Sequence, residues 1–328
     1  MSLKVCVFGA GAVGGHLATR LALGGADVSV VARGANLAAI QARGLVTKAL
    51  DGLHHVHPRA AANPAELGPQ DAVLVTVKAP AMTSVAEQIA PLLGPETSVA
   101  FVMNGIPWWY CDGAGGALAG QQLPALDPGG SIRRHVGVAR TLGGVVHSAS
   151  TVVEPGVVHA MNSINKLILG EPDGRPSPRA ERLAEPLRRG GMETIVTQDI
   201  RQELWAKLAG GLSNAPTCIL SRQDIASTFA NPSIRAAALR LLEEALAIAQ
   251  GLGVAVPLDP VARIDQLTRF HHKPSILQDL ELGRPMEVEA MLLAPLRLAR
   301  LAGVPTPMLD LTVALATAAA EAAGLYRA

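Results

Sequence analysis

The hexapeptide Gly9-Ala10-Gly11-Ala12-Val13-Gly14 stands directly behind the apolar run Lys4-Val5-Cys6-Val7-Phe8. A buried strand that passes at once into G-x-G-x-x-G and then a helix is the phosphate-cradling turn of a dinucleotide-binding βαβ unit. Gly9 permits the tight turn, Gly11 has no Cβ to hold a pyrophosphate away, and Gly14 lets helix and strand pack closely. The helix, read from Gly15 to about Leu23, presents free N–H groups and a positive dipole end to the phosphates. A second strand follows from Asp27 to Ala32. An NAD site usually carries Asp or Glu there, about 20 residues past the glycines, for the ribose 2′-hydroxyl. Here the strand ends Val30-Val31-Ala32-Arg33-Gly34, with no carboxylate between Asp27 and Asp51. The Arg33 guanidinium suits a 2′-phosphate, which favours NADP(H).

Four further patterns carry polar groups to places where ligands bind. Val75-Thr76-Val77-Lys78-Ala79 ends a strand in a lysine, at the carboxyl edge of an open sheet. Phe101-Val102-Met103-Asn104-Gly105 ends another in an amide. That amide can donate to a ketone or hydroxyl and accept from a ribose. In Glu203-Leu204-Trp205-Ala206-Lys207-Leu208-Ala209-Gly210-Gly211, residues Lys207, Gly211 and Asn214 recur at helical spacing and share a face. Each mid-helix glycine costs about 1 kcal/mol against alanine, so something comes close there, a ligand or another helix. A lysine on that face can act as a general acid if burial and charge lower its pKa. Finally, Ser275 and Asp279 stand at i and i+4, and Glu287 follows the Gly283-Arg284-Pro285 turn.

The elements that must position these groups fall into two halves. Strands at Val5–Phe8, Val28–Ala32, Ala72–Val77 and Ser98–Met103 alternate with helices such as Asn36–Arg43 and Thr83–Leu93, the rhythm of a doubly wound parallel sheet. After an irregular stretch from Gly105 to Arg134, strands are read at Val136–His147, Thr151–Ala160 and Lys166–Gly170, the second as a hairpin at the sheet edge. Pro176–Arg189 reads as a helix and Met192–Thr197 as a last strand. From Asp199 onward leucine and alanine recur at helical spacing and β-branched runs vanish. The expectation is an α/β chain: a Rossmann domain over 1–197, then an all-helical domain over 198–328 that faces the cofactor with catalytic groups. The alanine-rich tail, Thr312–Ala323, reads as a packed helix or one that lines a homodimer.

Composition excludes other classes. The 328 residues are 49% hydrophobic with net charge +1. No basic stripe points to nucleic acid or an anionic membrane. No apolar run reaches the roughly 18 residues of a membrane span, and the first strand leaves no room for a signal peptide. The scattered Cys6, Cys111 and Cys218 fit a reduced, cytoplasmic protein with neither disulfide framework nor zinc site. His54, His55 and His57 are read as strand or loop surface rather than a metal site.

Taken in order, G-x-G-x-x-G, V-T-x-K-A, N-G, L-W-x-K-L, S-x-L-Q-D and G-R-P-x-E resemble the ketopantoate reductase family over nearly the whole chain. The resemblance implies NADPH-dependent reduction of 2-dehydropantoate to pantoate, on the route to pantothenate. It implies that Lys207 is the general acid, positioned by Glu287. It places substrate on Asn104 and Ser275, Lys78 at the cofactor–substrate junction, and Asp279 as a brace. The family also carries Asn at the fourth and eighth positions after the lysine. This chain has Gly211 and Ala215 there; Asn214, displaced by about 100° around the helix, is the substrate-binding amide expected on this helix. That departure leaves open a reductase of another 2-oxo acid or ketone, and a non-catalytic NADPH sensor. A second departure is Pro107-Trp108-Trp109-Tyr110, read either as a lid or pocket wall over the substrate, or as a dimer contact or local core plug.

Overall fold

A computed structural model describes residues 2–161 and 164–327. They form two compact units: Met1–Met103 with Asp127–Ile200, and Asn104–Leu126 with Arg201–Ala328. The segment 104–126, read with the sheet from sequence, groups instead with the helices.

The first unit is a doubly wound sheet. Its strands are β1 (Lys4–Phe8), β2 (Asp27–Val31), β3 (Leu45–Ala49), β4 (Gly52–Val56), β5 (Arg59–Ala61), β6 (Gln70–Val75), β7 (Leu93–Val102), β8 (Thr141–Ser148), β9 (Thr151–Glu154), β10 (Val157–Ala160), β11 (Asn165–Gly170) and β12 (Glu193–Thr197). Its helices are α1 (Ala12–Leu23), α2 (Gly34–Arg43), α3 (Met82–Gln88), α4 (Ser131–His135) and α5 (Pro178–Arg189). The main sheet runs β12-β11-β8-β7-β6-β1-β2-β5. From β8 to β5 neighbours are parallel; β11 is antiparallel to β8 and parallel to β12. One face buries Val5, Val7, Val30, Leu74, Leu142 and Leu167 against Leu17 and Leu21 of α1 and Leu183 and Leu187 of α5. The alternate residues Cys6, Phe8, Val73, Val75 and Phe101 are buried as well. Burial on both faces explains why these strands read as continuous apolar runs.

Two expectations need correction. Thr151–Ala160 does form an antiparallel pair, β9 and β10. It is not at the edge of the main sheet, because β10 pairs in parallel with β3 in a separate sheet of order β4-β3-β10-β9. The strand read from Val136 begins only at Thr141, and 131–135 is helical. The Asp127 carboxylate accepts the Ile132 and Arg133 N–H groups there and favours the helical turn. The small sheet covers α1 through the Thr19–Thr47 hydroxyl bond of 2.7 Å and the buried Arg20, which donates twice to Asp51. Asp51 also meets His54 at 3.1 Å. No group of three or more potential metal ligands occurs among the described residues.

The second unit is built from α6 (Ile200–Ser221), α7 (Ile225–Phe229), α8 (Pro232–Gly251), α9 (Pro260–Leu267), α10 (Ser275–Glu281), α11 (Ala294–Leu301) and α12 (Pro307–Ala322). In α8, Leu241, Leu242, Ala245, Ile248 and Ala249 are fully buried, as are Leu309, Val313, Ala316 and Ala320 of α12. Glu244 of α8 accepts the Met308 and Leu309 N–H groups at 3.0 and 2.8 Å. It thus supplies an anion to the α12 N-terminus, whose first N–H groups lack intrahelical partners. Among the described residues no helix is long and apolar enough to cross a membrane.

Candidate active site

The glycine turn lies in the first unit. Gly9 takes φ +107°, open only to glycine at low cost, and its N–H donates to Val31 O at 3.0 Å. A Cβ on Gly14 would stand 2.0 Å from Gly9 O and 2.4 Å from Thr76 Oγ1. Thr76 donates to Gly9 O at 2.7 Å, so the V-T-x-K-A segment braces the turn through its threonine, a role not visible in sequence. A Cβ on Gly11 would meet nothing within 4 Å. The first turn of α1, with Ala12, Val13 and Gly14, has neither a side-chain cap nor an acid. Open space beside Gly11 and uncapped N–H donors are what a pyrophosphate needs, so these residues fit a dinucleotide. Ala10 O accepts the Asn36 amide at 2.6 Å, which fixes α2 against the turn.

Arg33 is the N-cap residue of α2. It is exposed, and its guanidinium donates to Ser84 at 2.9 Å and Gln88 at 3.3 Å. Both partners are neutral, and among the described residues no carboxylate forms an ion pair with it. Asp51, the next acid after Asp27 in the chain, is engaged by Arg20, which holds its carboxyl well below the usual carboxylate range. Lys78 is exposed just past the end of β6.

A polar cluster lies within the second unit. Lys207, half-buried on α6, donates from Nζ to Asn104 Oδ1 at 2.8 Å. Burial lowers its pKa to about 8, against an upward pull from the Glu287 carboxylate. Glu287 is 4% exposed, so this carboxylate is shielded from water, where charges interact more strongly; Asp279, on α10, is 2% exposed. Ser275 begins α10 and is exposed. Asn214 turns its amide onto its own helix and donates to Gly210 O at 2.7 Å.

Backbone geometry holds Asn104 in place. Gly105 has φ +78°, and a Cβ there would stand 2.4 Å from Ala290 O. That carbonyl accepts the Ile106 N–H at 2.8 Å. It is free to do so because 289–293 is a π-turn, in which the Ala294 N–H bonds Glu289 O. The next donor in that pattern would be Pro295, which has no N–H. The proline eight residues past Glu287 was the available signal. Trp108, Trp109 and Tyr110 are at most 3% exposed, which makes them a core plug rather than a lid. Trp205 Nε1 donates to Tyr110 Oη at 2.6 Å, and Arg201 donates to Tyr110 O at 3.0 Å. The plug therefore fastens the Asn104 loop to the helix that bears Lys207.

The family model described as ketopantoate reductase PanE/ApbA matches residues 5–108, and its C-terminal counterpart matches 199–320. The chain belongs to the ketopantoate reductase family. These are oxidoreductases. The chain is 45% identical to 2-dehydropantoate 2-reductase of Mesorhizobium japonicum, over 99% of this chain and 100% of that one. A solved protein of Ralstonia solanacearum MolK2 is 38% identical with TM-score 0.92, covering 99% of this chain and all of that one. D-Mandelate dehydrogenase, solved with NADH and anilino(oxo)acetate, shares the fold at 18% identity and TM-score 0.82, over 99% and 100% of the two chains.

Proposed function

We propose that this ketopantoate reductase family member reduces 2-dehydropantoate to pantoate with NADPH. The observation that carries the reading is the partly buried Lys207, bonded to Asn104 at 2.8 Å, with the buried Glu287 acting on its charge. The 45% identity to a full-length 2-dehydropantoate 2-reductase supports the choice of substrate. NADPH, when bound, supplies the hydride.

The chain's own residues do the rest. Gly9 to Gly14, with the N-terminus of α1, take the pyrophosphate, and Arg33 takes the 2′-phosphate. Lys78 takes the place between cofactor and substrate. Reduction of a ketone builds negative charge on its oxygen. The Lys207 ammonium stabilises that charge and transfers a proton from Nζ to the alkoxide. Asn104 aims Nζ by accepting one of its hydrogens. Glu287 opposes the effect of burial, so that Lys207 keeps its proton near neutral pH. Ser275 presents its hydroxyl to the substrate, and Asp279 braces the site.

The test is the rate of NADPH oxidation with 2-dehydropantoate, beside NADH and a panel of other 2-oxo acids. Fast turnover with NADPH and 2-dehydropantoate is expected. Turnover confined to another 2-oxo acid would reassign the substrate. Tight NADPH binding with no turnover on any acid would make the protein a sensor.

A further inference from the structure

Helix α9 brings a cation to the lysine-bearing face of α6. A Cβ on Gly210 would stand 3.1 Å from Arg263 Nη2 and 3.2 Å from Nε, so the glycine lets the guanidinium lie close against the helix. Its Nε is buried with no hydrogen-bond partner, and Nη1 donates to Gln266 on its own helix at 2.5 Å. The acid beside it on α9, Asp265, is paired with Arg235. Burial lowers the pKa of Arg263, and no neighbouring charge offsets that cost. Among the described residues no carboxylate pairs with it, and a half-buried guanidinium with an idle donor is costly unless an anion completes it.

The surroundings say which anion. Lys207, Gly210, Gly211 and Asn214 share one face of α6. Lys207 and Gly210 are separated by about 4.5 Å along the helix axis. A Cβ on Gly211 would meet nothing within 4 Å, so space is open about 100° around the helix from Gly210. A planar fork of N–H donors one turn from an ammonium suits a molecule that carries a carboxylate next to a ketone.

Resting on the reductase reading above, we propose that Arg263 is the substrate-carboxylate anchor of this enzyme. It replaces the asparagine amides that the family places at positions 211 and 215. Gly210 and Gly211 are then one device: the first admits the guanidinium and the second leaves room for the acid it holds.

The test compares wild type with R263A and R263K in two measurements. One is calorimetric binding of oxamate, a 2-oxo acid isostere, to the NADP+ complex. The other is steady-state kinetics with 2-dehydropantoate and with its lactone, which lacks the carboxylate. R263A should weaken oxamate and raise the KM for the acid by about 30- to 100-fold, the worth of a charge-assisted pair. The lactone rate and NADPH affinity should hold, and R263K should recover part of the loss. The ratio of acid to lactone turnover does not depend on the folded fraction. Oxamate bound equally by wild type and R263A, or by neither, overturns the proposal, as does an equal fall for acid and lactone. If wild type reduces 2-dehydropantoate and R263A keeps its KM, the anchor fails and the reductase reading stands. If wild type reduces no 2-oxo acid yet binds oxamate through Arg263, the reductase reading fails and the anchor stands.

Discussion

The glycine turn and the lysine cluster solve opposite problems. The turn is contiguous: Gly9 to Gly14 with the start of α1, braced at one point by Thr76. The cluster is gathered from separate stretches of chain, Asn104, Lys207 and Glu287, and depends on the buried Trp108-Trp109-Tyr110 plug and the π-turn at 289–293 for its alignment. A backbone site that binds phosphate needs N–H groups and the absence of Cβ atoms, so local sequence suffices. A site that moves a proton needs side chains with adjusted pKa values, which requires burial and partners from elsewhere in the fold.

Substitutions can break this contrast at either end. Gly14→Val should be the most severe in the first unit, because its Cβ would overlap Gly9 O at 2.0 Å. The strain of about 1–3 kcal/mol typical of overpacking falls on the turn itself. An NADPH titration should show affinity reduced by about two orders of magnitude; retained affinity would remove the turn from the cofactor site. Gly105→Ala is the counterpart in the second unit. Left-handed strain costs about 1–3 kcal/mol, to which the overlap with Ala290 O adds. Denaturant unfolding should show the loss, and turnover should fall while NADPH affinity persists.

Arg33→Ala should raise the KM for NADPH about 10- to 100-fold and leave NADH unchanged. An unaltered NADPH preference would deny Arg33 the 2′-phosphate. The smallest effect is electrostatic. With the Lys207 pKa near 8, its acid form disappears as pH rises through that value. The kcat/KM for reduction should be flat below about pH 7 and fall tenfold per unit well above 8. Glu287 raises that pKa, so Glu287→Gln should move the basic limb to lower pH and cut the rate at pH 7 several-fold. A limb that stayed in place would show that Glu287 does not act through Lys207.

The same contrast governs what was legible in sequence. The βαβ start and the switch to helices after Asp199 follow from local pattern, and the fold agrees with them. The small sheet did not, since β3 and β4 are only five residues each, and β3's partner β10 lies more than a hundred residues on. Lys207 and Glu287 were reached through residue type and family resemblance. The contact between Arg263 and Gly210 was not, because α9 reads as an ordinary amphipathic helix. Its trace was the costly Gly210-Gly211 pair, which announced a close approach without naming what approached. The Trp108-Trp109-Tyr110 stretch left lid and plug undecided, since aromatic residues serve both, and only burial separates them.

The most direct test of the division of labour is Lys207→Ala, measured twice on the same preparation: NADPH dissociation constant by fluorescence titration, and turnover with 2-dehydropantoate. The account predicts an unchanged dissociation constant and turnover lowered by about a thousandfold, within the range for losing a general acid. Turnover near the wild-type rate would contradict it and remove the proton-transfer role from Lys207.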